Sequence, residues 1–337
     1  IYFIVNLKLG IDGVLYGQLI SEIFVFIIIL PPMIKQMEFK YDSKVISTSL
    51  KFGIPLIFSA LSMTLLNISD RFLIKFLANE EALGLYELGY RVAGILNMFF
   101  IMPISLTLLP VAYKIYNHPG DKEYYKKIMT YVTYLLVWGA LFLSVFSKEI
   151  ITLFSSNVSF IPAFKVVPII LLSYVFFGMS LISSLGFYLL GKTSYVAIIT
   201  IVSALLNIGL NFILIPKYGI MGAAINTLIA FVFLYFISLI GSNQFFKINF
   251  EHKKIFSLIL LGVSLFFVST LFNSMHLFHS LLLKLALVVL YPIILFIGSF
   301  YEASEIRLLK GFIIKWRNPA GWLDNFKKEN SDIFNRL

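Results

Sequence analysis

The sequence of 337 residues lacks cysteine entirely and contains only four histidines. The absence of cysteine excludes disulfides, thiolate metal sites and cysteine nucleophiles. None of the histidines lies midway along an apolar run, so neither a buried histidine metal site nor a histidine proton relay is expected. Charged residues are also scarce, at 13% against about a quarter in ordinary soluble domains. So little charge cannot cover the surface of a soluble globule of this size.

What the chain has in abundance is apolar side chains, with 59% hydrophobic residues and a mean hydropathy of +0.92. Apolar runs of the roughly 20 residues needed to cross a bilayer recur along the whole chain. They predict an all-α polytopic membrane protein with nine spanning helices after a stub at residues 1–7. The predicted helices are 14–30, 53–78, 82–114, 125–147, 163–190, 196–215, 219–242, 255–273 and 279–300. The run 82–114 is too long for a simple span, so we expect it to tilt, kink or extend beyond the bilayer.

The net charge of +10 is unevenly distributed over the connections between these helices. Alternate connections, together with the tail 301–337, carry nineteen lysine and arginine residues, whereas the opposite set carries three. Cytoplasmic loops of membrane proteins carry such an excess of basic residues. The basic charge therefore indicates orientation rather than binding of nucleic acid. The tail and the loops 31–52 and 114–127 are predicted to be cytoplasmic.

Residues 8–24 and 217–233 match at seven of 17 positions with a fixed offset of 209 residues, and the matches include a Gly-Ile-x-Gly turn. Six helix steps separate the two copies, so they have the same orientation and the repeats are parallel. Parallel repeats occur in transporters that hold substrate between two lobes. The offset predicts two six-helix lobes, most of the first lying upstream of Ile1.

The domain organisation follows from this repeat. Residues 1–30 would be the remnant of an N-terminal six-helix lobe, consisting of its last helix and a stub. Residues 31–52 would be a cytoplasmic linker between the lobes, and residues 53–242 the C-terminal six-helix lobe. An appended helix pair at 255–300 and a cytoplasmic tail at 301–337 would complete the chain.

Charged side chains at membrane depth are costly and are therefore candidates for function. Asp70, Arg71 and Arg91 fall at similar depth in two helices joined by a tight turn. A pair between Asp70 and Arg91 would hold this hairpin together. An arginine facing a cavity would instead bind a lipid diphosphate or an anionic sugar with paired donors. Both roles can hold together, and Glu87 lies four residues before Arg91 on the same helix face.

Four further polar residues lie within predicted spans. Glu22 stands alone midway along its helix, where it could accept a coupling proton or pair with a basic residue of the predicted N-terminal lobe. Asn67, Asn207 and Asn211 are amides in spans, and the last two share one helix face. Such amides bridge helices or line a cavity.

Three lysines, Lys75, Lys165 and Lys284, lie nearer the ends of helices. Their long side chains are expected to snorkel to the interface, with the ammonium group in water. No catalytic residue, metal ligand or cofactor is predicted anywhere in the chain.

The segments 50–96 and 206–227 carry a recognisable pattern. The first reads LKFGIPLIFSALSMTLLNISDRFLIKFLANEEALGLYELGYRVAGIL, with an FGxP helix start, an SDRF-like cluster, a short external turn, and then Gly-x-Tyr followed by a basic residue. The second reads LNIGLNFILIPKYGIMGAAINT. Both resemble the polysaccharide-export branch of the multidrug/oligosaccharidyl-lipid/polysaccharide (MOP) flippase superfamily. The resemblance implies two six-helix lobes, often with two extra C-terminal helices.

The resemblance also implies a function. Such proteins flip undecaprenyl-diphosphate-linked oligosaccharides across the cytoplasmic membrane of bacteria or archaea for surface polysaccharides such as O-antigen or capsule. The expected partners are the lipid-linked oligosaccharide, membrane lipids and, if transport is coupled, H⁺ or Na⁺. An ion-coupled multidrug antiporter of the same fold is the alternative, although two deep arginines disfavour cationic drugs. An integral-membrane glycan-modifying enzyme is less favoured, because the chain lacks a buried histidine for acyl transfer and a large external loop for glycan polymerisation.

Overall fold

The computed structural model describes residues 2–37, 41–155, 157–302 and 306–307, so the predicted tail lies almost entirely outside the described residues. The described residues form helices and no strand. The helices are α1 (Tyr2–Val5), α2 (Gly10–Gln36), α3 (Ser43–Leu77), α4 (Glu80–Leu96), α5 (Met102–Ile115), α6 (Asp121–Val145), α7 (Ser147–Phe154), α8 (Val167–Ser183), α9 (Leu185–Leu189), α10 (Thr193–Phe245), α11 (His252–Thr270) and α12 (Leu277–Ile297). The chain divides into two compact units, Ile1–Lys51 and Phe52–Leu337.

Eight helical segments in the described part of the chain are long and apolar enough to cross a membrane. They coincide with the predicted spans, because the spans 196–215 and 219–242 are the two arms of α10. The prediction of an all-α polytopic membrane protein is therefore confirmed. Within the larger unit, the core lies where α8 packs between α6 and α10, with α4 and α11 against them.

Helix α10 reverses direction at Gly219, where the backbone leaves helical geometry with φ 55° and ψ −136°. Glycine tolerates this positive φ because it has no Cβ. The Nδ2 atom of Asn226 donates a hydrogen bond to the backbone oxygen of Asn207 at 2.6 Å. In one straight helix these residues would be about 28 Å apart. The two arms, 193–218 and 220–245, therefore form a helical hairpin.

A similar turn lies 209 residues earlier, at the start of α2, where Gly10 has φ 56°. In both turns the next glycine meets the preceding helix. A Cβ on Gly13 would lie 2.9 Å from the backbone oxygen of Phe3, and a Cβ on Gly222 would lie 2.2 Å from that of Leu214. Each glycine thus permits a close approach of two backbones, and the matched turns agree with the repeat detected in the sequence.

The overlong run 82–114 is not one regular helix. Helix α4 ends at Leu96, the residues Asn97–Ile101 form a π-helical turn, and α5 begins at Met102. The backbone N–H of Met102 donates to the oxygen of Asn97, five residues back. The next residue is Pro103, which has no N–H to donate, and such π-turns and prolines are the usual sites of helix kinks.

The predicted linker 31–52 is mostly helical, because α2 extends into it and α3 begins at Ser43. Asp42 explains the early start of α3. Its Oδ1 atom accepts hydrogen bonds from the backbone N–H groups of Lys44 and Val45 at 2.8 and 3.3 Å. These bonds satisfy two N–H groups that have no partner within the helix, as an N-cap does.

The connections of the larger unit sort to two ends of the bundle, as the alternation of charge predicts. At one end, α6 and α11 finish and α7, α8 and the second arm of α10 begin around a single pocket. At the other end, Lys127 pairs with Glu302 at 2.9 Å, and Thr130 donates to Glu251 at 2.9 Å. Which of these ends faces the cytoplasm stays a prediction.

Candidate functional site

A fully buried carboxylate, Asp70 of α3, lies at the centre of a polar cluster within the spans. It accepts hydrogen bonds from the hydroxyl of Tyr86 on α4 at 2.8 Å and from the Nδ2 atom of Asn211 on α10 at 2.7 Å. The hydroxyl of Thr227, on the second arm of α10, donates a third. No ion pair found among the described residues involves Asp70. The carboxylate is therefore surrounded by neutral donors.

A layer of amides and hydroxyls supports these donors. The Oδ1 atom of Asn207 accepts from the hydroxyl of Ser69 at 2.8 Å and from Nδ2 of Asn211 at 3.3 Å. Asn207, Asn211 and Asn226 are all fully buried. Asn207 and Asn211 share one helix face because they are four residues apart. Both amides thus contact α3, and whether they also line a substrate cavity stays a prediction.

The register between α3 and the first arm of α10 brings Asp70 to this cluster. The hydroxyl of Thr193 donates to the backbone oxygen of Phe52 at 2.8 Å, and that of Thr200 donates to the Ser59 hydroxyl at 3.1 Å. Each pair is separated by 141 residues, as Asp70 is from its Asn211 partner. A constant separation means that the two helices run parallel and in register. The polar contacts form a ladder along them.

Arg71 faces a different set of partners. It forms an ion pair with Glu87 and stacks on the ring of Tyr90, with 4.4 Å between the guanidinium carbon and the ring centroid. Its Nη1 atom donates to the backbone oxygen of Asn67 at 3.1 Å. The Asn67 side chain accepts a hydrogen bond from the Tyr90 hydroxyl at 3.2 Å. The side chain of Arg71 is 26% exposed, so the pair lies at an edge of the packed helices.

Arg91 does not form the pair with Asp70 that was considered from the sequence. Its side chain is exposed and lines a pocket of about 320 Å³ with Glu87 and Phe160. Glu87 pairs with Arg71, not with the arginine one turn further along its own helix. Arg91 lies on another face of α4 from Tyr86, which contacts Asp70, and the similar membrane depth of the three charged residues stays a prediction.

Glu22 lies in the other compact unit and is exposed. Its Oε1 atom accepts a hydrogen bond from Nε2 of Gln18 at 3.1 Å, one turn earlier in α2. This is a local contact within one helix. The role of Glu22 stays a prediction.

The expectation that Lys284 snorkels is wrong. Its side chain is only 1% exposed, and Nζ donates to Oε1 of Glu149 at 2.6 Å. This pair joins α12 to α7, two elements that the sequence does not connect. The other two lysines behave as expected: Lys165 is exposed, and Lys75 is exposed with Glu80 as its partner at 3.0 Å.

Sequence reasoning missed two of the three donors to Asp70. Thr227 is the last residue of the segment 206–227 that carries the family resemblance. The sequence could therefore have identified it as a candidate. Tyr86 is one of eighteen tyrosines, and no pattern singles it out. Only the pairing of the helices shows that both hydroxyls point at one carboxylate.

The oxygen atoms around Asp70 are of the chemical kind that protons and hard cations bind. Besides the carboxylate, they include the hydroxyl of Thr227 and the backbone oxygen of Ala223, which accepts from that hydroxyl at 3.0 Å. The Oδ1 atom of Asn211 is buried without a hydrogen-bond partner. Hard cations take carboxylate, hydroxyl and carbonyl oxygens. No group of three or more His, Asp or Glu residues in the described part could hold a metal ion.

Eight helices that are long and apolar enough to cross a membrane make this chain a multi-pass membrane protein. The fold is similar to that of the solved Lipid II flippase MurJ in an inward closed conformation. The TM-score is 0.65 at 19% sequence identity, and the match covers 89% of this chain and 65% of that one.

Residues 3–158 match the family model described as polysaccharide biosynthesis protein. A probable low-salt glycan biosynthesis flippase, Agl15 of Haloferax volcanii, is 28% identical over 202 residues, which is 58% of this chain and 42% of the relative. An uncharacterized membrane protein of Methanocaldococcus jannaschii, MJ1068, is 22% identical over 258 residues, 74% of this chain and 48% of the relative. The chain thus spans about half the length of these curated relatives. These matches agree with the resemblance to polysaccharide-export flippases found in the sequence, and the matching family model covers slightly less than half of the chain.

Proposed function

We propose that this protein flips a lipid-linked oligosaccharide across the cytoplasmic membrane by alternating access, for the synthesis of a surface polysaccharide. Residues 53–242 would form a six-helix lobe and residues 255–300 an appended pair. The carrier lipid would be undecaprenyl diphosphate, as the family resemblance implies. Support comes from the names of the relatives, one a glycan biosynthesis flippase and the structural neighbour a lipid II flippase. The protein would act as a transporter and not as an enzyme.

The observation that carries the proposal is the exposed guanidinium of Arg91, the only cation of α4, which forms no ion pair with a described residue. Arg91 lies eleven residues beyond Glu80, which is about 16 Å along a helix. A cation at that depth needs water or an anionic partner. A guanidinium binds phosphate with two parallel hydrogen bonds, which suits a lipid diphosphate and disfavours a cationic drug. Arg71, oriented by Glu87, supplies a second guanidinium close in depth.

The coupling ion would act at Asp70. Its carboxylate contacts α4 and both arms of α10, so a change in its charge alters four helical segments at once. A proton or Na⁺ would neutralise a charge that the protein otherwise balances with neutral donors alone. The residues of the cluster would hold the ion through oxygen atoms and change their hydrogen bonds as it leaves. This supplies a bistable element of the kind that alternating access needs.

Disruption of the full-length gene tests the function. We expect loss of the surface glycan, with carrier-linked oligosaccharide accumulating where only probes in the cytoplasm reach it. Normal glycan with raised sensitivity to cationic drugs would favour the multidrug antiporter instead. Normal translocation with loss of one glycan modification would favour a membrane enzyme.

The orientation has its own test, because the chain lacks cysteine and single cysteines can be placed freely. Impermeant thiol reagents added outside should reach cysteine at Asn79 and Asn157 and miss cysteine at Ser43 and Asn117. Labelling of the opposite set would reverse the proposed topology. Equal labelling of both sets in sealed cells would show that neither side is protected.

A further inference from the structure

A pocket of about 230 Å³ lies at the end of the bundle that is predicted to be external. Two lysines line it: Lys148 from the start of α7 and Lys165 from just before α8. Apolar side chains, among them Phe164 and Phe266, form other parts of the wall. The pocket shares no residue with the cluster around Asp70. It is therefore a second polar site, in a different part of the fold.

The positive charge in this pocket has no counter-charge among the residues that the structure describes. No Asp or Glu lines it, and no ion pair found in the described part of the chain includes Lys148 or Lys165. Glu149 follows Lys148 directly, but it is paired with Lys284 at 2.6 Å. Two like charges in one small cavity repel each other, and an anion between them removes that cost.

The hydroxyl groups of the wall point to the same class of ligand. The Ser147 hydroxyl donates to the backbone oxygen of Ser144 at 2.8 Å, and the Ser269 hydroxyl donates to that of Phe266 at 2.6 Å. With these donors engaged, the ammonium groups are the strongest donors that remain. An uncharged sugar would leave both charges uncompensated, whereas a phosphate accepts from both lysines.

Orientation alone does not explain why the lysines are together. Within the unit Phe52–Leu337, the predicted external connections carry only Lys148 and Lys217, and Lys165 lies next to one of them. Membrane proteins keep basic residues scarce on the external side. Two of these three lysines nevertheless line a single pocket. Two lysines in one pocket are expected if both bind the same ligand. They are not expected if each lysine only contacts solvent.

We propose that this pocket binds the phosphate of a membrane lipid headgroup, with Lys148 and Lys165 as its two donors. The aromatic rings of Phe164 and Phe266 would contact the apolar part that follows the phosphate. The mixture of ammonium groups and rings is the reason for choosing a lipid over a soluble anion. Lipid binding at this site does not depend on transport, so it can be tested separately from the proposed function.

The test uses the purified full-length protein in a mild detergent, titrated with dioctanoyl phosphatidic acid and followed by native mass spectrometry. We expect saturable binding to the native protein. The double variant Lys148→Gln, Lys165→Gln should bind about 30-fold more weakly, which is about 2 kcal/mol for two lysines. The charge-preserving double variant Lys148→Arg, Lys165→Arg should restore most of the binding. Lys217→Gln is the matched control, with the same loss of charge at the same end but outside the pocket, and it should bind as the native protein does.

Three results would overturn the proposal. Unchanged binding in the double glutamine variant would show that the lysines are not the donors. An equal loss in Lys217→Gln would show a diffuse effect of charge. Inorganic phosphate that displaces the lipid at equal concentration would assign the pocket to a soluble anion. If the double variant does not fold, the single variants serve instead, each with about fivefold weaker binding.

Discussion

Asp70 and Arg71 are neighbours in α3, yet their side chains lie in two different environments. Asp70 is fully buried and receives hydrogen bonds from neutral groups on other helices. Arg71 is partly exposed and is neutralised by Glu87. A buried carboxylate with no counter-charge gains most from binding a cation, whereas an arginine that is already paired is held in one position. The contrast is the one expected if Asp70 is the coupling site proposed above and Arg71 holds a fixed position beside it.

The largest expected effect comes from Asp70, since it is the acceptor that three buried donors share. In Asp70→Ala the Tyr86 hydroxyl loses its 2.8 Å bond, while the hydroxyl of Thr227 and the amide of Asn211 keep only their bonds to Ala223 and Asn207 at 3.0 and 3.3 Å. A buried polar group left unsatisfied costs about 1–3 kcal/mol. We expect little folded protein, measured by size-exclusion chromatography of a fluorescent fusion. Asp70→Asn keeps the shape, so it should fold in near-normal amounts but lose the dependence of export on H⁺ or Na⁺.

The matched control for Asp70 is Ser59→Ala, which removes the uncharged hydrogen bond from Thr200 between the same two helices. It should lower stability by about 1 kcal/mol and leave the ion dependence intact. Full export with unchanged ion dependence in Asp70→Asn would contradict a coupling role. It would make the cluster a purely structural contact between α3 and α10.

The next effect is expected at Arg91, whose exposed side chain forms no ion pair with a described residue. Arg91→Ala should reduce glycan export about 10- to 100-fold at normal protein level, because hydrogen bonds to a charged group contribute about 1.5–3 kcal/mol. Arg91→Lys should retain part of the activity, since a point charge replaces a paired donor. Lys75→Ala removes another cation of the same hairpin and should leave export unchanged. Normal glycan display in Arg91→Ala would refute contact with the substrate.

A smaller effect is expected for the pair of Arg71 and Glu87, which is partly exposed and screened by solvent. Loss of either partner should lower the free energy of unfolding by about 1 kcal/mol. The double variant Arg71→Ala, Glu87→Ala should be less destabilised than the sum of the single ones, because the partners interact directly. Additive losses in thermal unfolding would show that the pair contributes nothing. A drop in export far beyond the drop in folded protein would instead give Arg71 a role in binding substrate.

The smallest effect is expected at Glu251, a carboxylate outside the spans that, unlike Asp70, has a cationic partner. Burial alone would raise the pKa of Glu251, but hydrogen bonds from Lys254 and Thr130, both at 2.9 Å, hold it below its usual value. A lowered pKa stabilises the folded protein above the unfolded pKa of about 4.3, and the contribution is lost as the pH falls through the folded value. With solvent screening it amounts to less than about 1 kcal/mol.

Thermal unfolding of Glu251→Gln against the native protein checks this sign. The native protein should be slightly more stable at pH 7, and the difference should vanish at pH 3. The exposed carboxylate of Glu123, which pairs with Lys126 one turn away, gives a control through Glu123→Gln. A difference that grows as the pH falls would show that the direction is wrong.

The sequence predicts the spans well because apolar runs of bilayer length allow few alternatives. It also predicts the reversal at Gly219, where a glycine turn interrupts the run. It does not predict that Lys284 is buried. The expectation of snorkelling takes no account of an acidic partner on a neighbouring helix, and here Glu149 of α7 forms an ion pair with Lys284. It likewise misses the extension of α3 to Ser43, because the apolar run starts later than the helix that Asp42 caps. The polar partners of Asp70 depend on how distant helices pair, which local composition does not encode.

The ladder between α3 and the first arm of α10 limits how these helices can move. Its three rungs start at Phe52, Ser59 and Asp70, with intervals of seven and eleven residues. Because the intervals are unequal, sliding α3 along α10 can place one of its three residues opposite the partner of another. The other two residues then have no partner opposite them. Sliding by one helical turn therefore has no second stable position. If these helices move in the proposed transport cycle, we expect them to part by tilting or rotating and to return to a single register, which is a hinge motion and not a shear motion.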